Sequence, residues 1–70
     1  MKISARNVLP GKITALVRGP VTTEVTIEIA PGVEITSTIT STSAQSLGLK
    51  EGGKAYGVIK ASSVMIGTDD

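Results

Sequence analysis

Two short polar segments near opposite ends of the chain hold the residues best suited to chemistry: Ser4-Ala5-Arg6-Asn7 and Lys60-Ala61-Ser62-Ser63. Each joins one fixed positive charge to hydroxyl and backbone N–H donors. The guanidinium of Arg6 is a planar fork that can bridge two oxygens of an anion, whereas the Lys60 ammonium acts as a point charge. A third group of donors, Thr40-Ser41-Thr42-Ser43, stands at the start of a predicted helix. There the first backbone N–H groups lack partners and the helix dipole favours negative charge. None of the three groups contains Asp or Glu. Such a set suits the holding of a tetrahedral dianion, which needs many donors and no carboxylate beside it. The chain has no histidine and no cysteine, so direct protein ligation of a metal is not expected. No nucleophile–base pair is visible, and Glu24, Glu28 and Glu34 alternate on exposed strand faces. An enzyme is therefore not expected. Plainer roles exist for each piece: hydroxyl residues before a helix cap it, and a cation at a strand end is usually solvated.

These donors must be positioned by strands, because the dominant pattern is two-residue alternation. From Val21 to Ile29, the apolar residues Val21, Val25, Ile27 and Ile29 alternate with Thr22, Glu24, Thr26 and Glu28, and Thr23 is the one polar intruder on the apolar face. Val33 to Thr40 repeats the pattern with Val33, Ile35 and Ile39. Period two with β-branched residues marks half-buried strands. Pro31-Gly32 between them favours a type II turn, so the two strands form a hairpin. An earlier strand spans Gly11 to Val17 with Ile13, Ala15 and Val17 in phase, bounded by Pro10-Gly11 and Arg18-Gly19-Pro20. Thr42-Ser43-Ala44-Gln45 has the spacing of a capping box. It predicts one short helix of about two turns, with Leu47 on its apolar face and Gly48 ending it. Lys54–Lys60 and Ser63–Ile66 read as two final strands, Lys2–Asn7 as an additional one suited to pairing with another subunit, and Gly67-Thr68-Asp69-Asp70 as a frayed acidic end. The fold class is all-β: a small OB-like β-barrel of about five strands with one short helix.

Composition bounds the rest. Seventy residues make one domain, spanning residues 1–70, and a chain of this size buries only about 60% of its unfolded surface. Tyr56 is the only aromatic residue and there are no cysteines to cross-link. Association remains as the route to a sufficient core, so a homo-oligomer is expected. The formal charge of +1 is not the basic excess of a nucleic-acid binder. No apolar run approaches the ~20 residues of a membrane span, and the N-terminus lacks a signal-peptide core. The expectation is a cytoplasmic protein without nucleic-acid or membrane partners. The competing reading is a nucleic-acid-binding OB-like domain, which a single tyrosine and a near-neutral charge disfavour.

Ser4-Ala5-Arg6-Asn7 followed by Leu9, Gly11 and Ile13 resembles the opening of the molbindin family, also called molybdenum-pterin-binding or Mop proteins. The likeness continues through Glu24-Val25, Ile39-Thr40 with Ser43, Leu47-Gly48-Leu49, Gly52, and Ile59-Lys60-Ala61-Ser62-Ser63-Val64-Met65-Ile66. It covers nearly the whole chain. The resemblance implies an OB-like barrel, dimers that exchange an N-terminal strand, and three such dimers assembled into a hexamer. It implies molybdate or tungstate as bound ligand at subunit interfaces, no organic cofactor, and an intracellular role in molybdenum storage or homeostasis. Carried over by position, Ser4, Ala5 and Arg6 match the N-terminal part of the family's oxyanion site, Thr40 and Ser43 its central donors, and Lys60, Ala61 and Ser62 its C-terminal part. Ala5 and Ala61 act through the backbone. The first of these groups and the other two are expected from different subunits. The family's second kind of site, near a three-fold axis, would be lined by the loop Arg18-Gly19-Pro20-Val21, with Gly19 and Val21 as its residues.

Overall fold

The computed structural model describes residues 1–69; Asp70, the last residue of the expected frayed end, lies outside them. The elements are strands β1 (Asn7–Arg18), β2 (Thr22–Ala30) and β3 (Val33–Thr40), helix α1 (Ser41–Ser46), strand β4 (Lys54–Ile59) and a 3-10 turn at Ala61–Ser63. The sheet order is β3-β2-β1-β4, and each neighbouring pair is antiparallel.

The hairpin forms as its alternation predicts. Ala30 pairs with Val33 across Pro31-Gly32, and Gly32 takes a φ of 75°, the positive value that the third position of a type II turn requires. β1 is longer than its alternation suggests and acts as two half-strands. Asn7 to Lys12 pair with β4, and Lys12 to Arg18 pair with β2. Pro10, expected to mark the strand's start, lies inside it. A proline is tolerated there because that half of β1 has a partner on one side only. The register slips between Ile13 and Ala15, a bulge that moves the apolar face by one residue. Leu16, opposite Val25, therefore packs on the core, and Val17, expected in phase with Ile13, is exposed.

Ile13, Val25 and Ile27 are the buried centre, with Leu16, Ile29, Ile35, Ile39, Leu49 and Ala55 packed around them. The sheet curls, because its two outer strands approach one another. A Cβ at Gly57 of β4 would meet Cδ1 at the tip of the Ile35 side chain on β3, which shows how near the two outer strands come.

Further expectations are corrected. α1 is capped by Thr40 and not by Thr42, so it starts earlier than the capping-box reading placed it and is six residues long. Ala44 is its buried residue, while Leu47 caps its C-terminus and is 69% exposed. Gly48 does take the left-handed conformation that ends the helix. The expected final strand at Ser63–Ile66 is not formed among the described residues. The 3-10 turn, closed by a 2.9 Å bond from Ser63 N–H to the Lys60 carbonyl, steers the chain off the end of β4, and Met65 and Ile66 stand 93% and 87% exposed. Local alternation is present there, but no sheet edge lies beside it. Of Lys2–Asn7, only Asn7 is in a strand.

Candidate oxyanion site

The first rung of the β1–β4 ladder pairs Asn7 with Ile59, and the Asn7 amide donates to the Ile59 carbonyl at 3.2 Å. The ladder ends there: Arg6 precedes it at a bend and Lys60 follows it as the residue before the 3-10 turn, so both terminal segments leave the sheet from the same end of the β1–β4 pair. Ser4, Arg6, Lys60, Ala61 and Ser62 are exposed and Ala5 is half-buried. Like charges brought close repel, and an anion between them reverses the sign of that interaction. Lys60 also starts the 3-10 turn, whose bonds run from Ser63 N–H and Val64 N–H back to Lys60 and Ala61. The N–H groups of Ala61 and Ser62 precede those bonds and have no partner within the turn.

The central donors are built by the chain's own core. Thr40 is extended (φ −69°, ψ 147°), and its Oγ1 accepts the Ser43 N–H at 3.0 Å. The Thr40 hydroxyl donates to Ser43 Oγ at 2.7 Å. Its hydrogen is thereby used, and the hydroxyl hydrogen of Ser43 is left to be donated outward. Both residues are exposed. Ser41 between them turns inward: its hydroxyl donates to the Gly19 carbonyl at 2.6 Å and contacts Thr23 Oγ1 at 2.8 Å. A serine hydroxyl has one hydrogen, so Thr23 is the donor in that second bond. The sequence marks Ser41 as one of the helix-start donors and Thr23 as a polar intruder, but neither as a support behind the site. The available signal was Thr23, the polar residue on an apolar face.

In the loop considered for a second site, the Gly19 N–H bonds the Thr22 carbonyl at 2.9 Å, and the Val21 carbonyl accepts the Ser41 N–H at 2.8 Å. The Arg18 guanidinium donates to the Leu49 carbonyl at 3.0 Å. Gly19 therefore spends its donor inside the fold, while the Val21 side chain is exposed.

The terminal cluster and the Thr40–Ser43 pair are not joined by any hydrogen bond among the described residues. Arg6 and Lys60 flank the first rung of β1, whereas Thr40 pairs with Thr22 just beyond its last residue. An apolar groove of about 370 Å³ lies open between β3 and β4. Its walls include Ile39, next to Thr40, and Ile59, next to Lys60, with Ile35 and Leu47. The one aromatic ring, Tyr56, has the Lys54 ammonium 5.5 Å from its centre.

Comparison with known proteins places this arrangement. The TOBE domain family matches residues 3–66. "Molybdenum-pterin-binding protein 1" of Clostridium pasteurianum is 52% identical over 66 residues, which are 94% of this chain and 97% of that protein. A "Probable molybdenum-pterin-binding protein" of Haemophilus influenzae is 44% identical over 69 residues, 99% of this chain and 100% of that one. Among solved structures, MopII from Clostridium pasteurianum superposes with a TM-score of 0.89 at 49% identity, covering 96% of this chain and all of that one. ModG, described as a cytoplasmic molybdate-binding protein and solved with molybdate bound, superposes with a TM-score of 0.87 at 45% identity over 93% of this chain and 46% of its own. The fold is all-β and OB-like, shared with MopII and with the molybdate-binding ModG. The chain belongs to the TOBE family and is a Mop, or molbindin, domain. The relatives described here that are named for an activity are named for binding, not for catalysis.

Proposed function

We propose that this chain binds molybdate, with tungstate as the alternative ligand, and that it serves storage and homeostasis of the oxyanion in the cytoplasm. The observation that supports the reading is the Asn7–Ile59 rung, at whose end the two exposed segments that carry Arg6 and Lys60, both free of carboxylates, leave the sheet. The dianion's dehydration is costly and has to be offset by fixed charge and a full shell of donors. Arg6 supplies two parallel donors, Lys60 a mobile one, and Ser4, Ser62 and the Ala5 and Ala61 N–H groups complete the near shell. Hydrogen bonds to a charged group contribute about 1.5–3 kcal/mol each, so several together support tight binding. Sulfate carries the same charge, and cavity size discriminates against it.

Ser4, Ala5 and Arg6 come from one subunit, and Thr40, Ser43, Lys60, Ala61 and Ser62 from another; in support, Ile39 next to Thr40 and Ile59 next to Lys60 line the same groove. The open groove and the exposed Val64, Met65 and Ile66 are the surface that association would cover. Dimers assembling into a hexamer follow from the family likeness. Gly19 and Val21 belong to a second site only through the Val21 side, since the Gly19 N–H is already bonded. Nothing in this reading needs an organic cofactor, a catalytic step, nucleic acid or a membrane. A cytoplasmic location is supported by the description of ModG, and no helix among the described residues is long and apolar enough to cross a membrane.

Calorimetric titration of the purified protein with molybdate, tungstate and sulfate, combined with its sedimentation, tests the proposal. Tight molybdate binding by an oligomer, with sulfate much weaker, is the expected result. A protein that binds none of the three overturns the function, and a monomer that binds molybdate tightly overturns the shared site.

A further inference from the structure

Thr23 is the one polar side chain among the described residues that is fully buried, at 1% exposure. It sits on the apolar face of β2 in phase with Val25 and Ile27. Valine has nearly the same shape and needs no partner, whereas a buried hydroxyl costs free energy unless it is hydrogen-bonded. Packing alone therefore does not call for threonine. The hydroxyl is bonded in one direction only, from Thr23 to Ser41 Oγ at 2.8 Å and from Ser41 to the Gly19 carbonyl at 2.6 Å. Ser41 N–H adds a bond to the Val21 carbonyl at 2.8 Å. All three bonds of Ser41 face the fold, and they hold the residue next to the Thr40–Ser43 hydroxyl pair. α1 is too short to fix its own direction: it is six residues long and buries only Ala44.

We propose that Thr23 is a positioning residue for oxyanion binding, acting through Ser41 on the direction in which the Thr40 and Ser43 hydroxyls leave the sheet. The inference rests on the molybdate reading above and deepens it. Groups that converge on one small ion must be held to within about 0.5 Å, and buried polar partners behind them do this better than a frayed helix end. Without the Thr23 donor, Ser41 keeps an unpaired acceptor and is free to turn its hydroxyl toward Thr40 or Ser43, in competition with the ligand.

Two substitutions separate this role from a structural one. Thr23→Val keeps the shape but leaves Ser41 Oγ without its donor, so its melting temperature falls. Thr23→Ser keeps the hydroxyl and loses a buried methyl, so its melting temperature falls as well. The expected molybdate affinities separate the two: about tenfold weaker for Thr23→Val, by analogy with removal of the outer partner that orients a ligand-binding group, and unchanged for Thr23→Ser. Calorimetry, thermal melting and sedimentation of the three proteins read this difference. Equal molybdate affinity in Thr23→Val, affinities that follow melting temperature in both variants, or a loss in Thr23→Val that accompanies a changed sedimentation coefficient overturns the positioning role. Failure of the unmodified protein to bind molybdate overturns the reading beneath it instead.

Discussion

The helix start and the two terminal segments use the same residue types in opposite ways. At the helix start, Thr23, Thr40, Ser41 and Ser43 bond to one another and to the loop at Gly19, at 2.6–3.0 Å. At the termini, Ser4, Arg6, Lys60 and Ser62 are exposed, and the fold fixes only the rung from which they emerge. The first region is preorganised by the core of its own chain. The second carries both candidate cations and has no such support from the core. Charge and order are thus divided between the two halves of the candidate site. A high density of hydroxyls near one cation is cheap to encode, but holding them still requires contact with a core, and a 70-residue chain has core enough for only one of the two.

This contrast can be broken in three places. The largest expected effect is Ile13→Ala at the buried centre, which costs about 2–5 kcal/mol in denaturant unfolding because it opens a cavity against Val25 and Ile27. A loss well below that range would mean that the central region is not the rigid half. Arg6→Ala and Lys60→Ala come next. Each removes about 1.5–3 kcal/mol of molybdate binding, roughly a tenfold to hundredfold loss of affinity by titration calorimetry, with the melting temperature unchanged. A matching fall in melting temperature would show that the termini belong to the folded core after all. Thr40→Ala is the smallest, about 1 kcal/mol of stability through the lost helix cap, accompanied by weaker molybdate binding. It is the one change that should move both readouts, since Thr40 both caps α1 and is a candidate donor to the ligand.

The same division governed what could be read from the sequence. The hairpin was legible because period-two alternation and Pro31-Gly32 are local signals, and Gly48 marked the helix end for the same reason. The donor clusters were legible as chemistry, since residue type alone shows charge and hydroxyls. Their arrangement was not. The Asn7–Ile59 rung, the slip between Ile13 and Ala15, and the bond from Thr23 to Ser41 all depend on residues distant in the chain. The Ser63–Ile66 segment shows the converse error: alternation reports that a segment could line a sheet, but not whether an edge is free to receive it. Thr23 looked like noise in the pattern until Ser41 was seen beneath it.

The division of β1 into two half-strands also orders events in time. Its second half pairs with β2 across a short turn, and β2 with β3 across Pro31-Gly32, so that meander forms from near neighbours. The first half must wait for β4, and its end rung joins residues 52 positions apart. Closing that larger loop costs more chain entropy and is rewarded late. The Asn7–Ile59 rung, from which the segments carrying Arg6 and Lys60 leave, is then among the last contacts made and the first to open. Native-state hydrogen exchange should release Val8 and Val58 before Ile27. The ligand, by gripping the two charges that flank this rung, would act as the latch on the slowest seam of the fold.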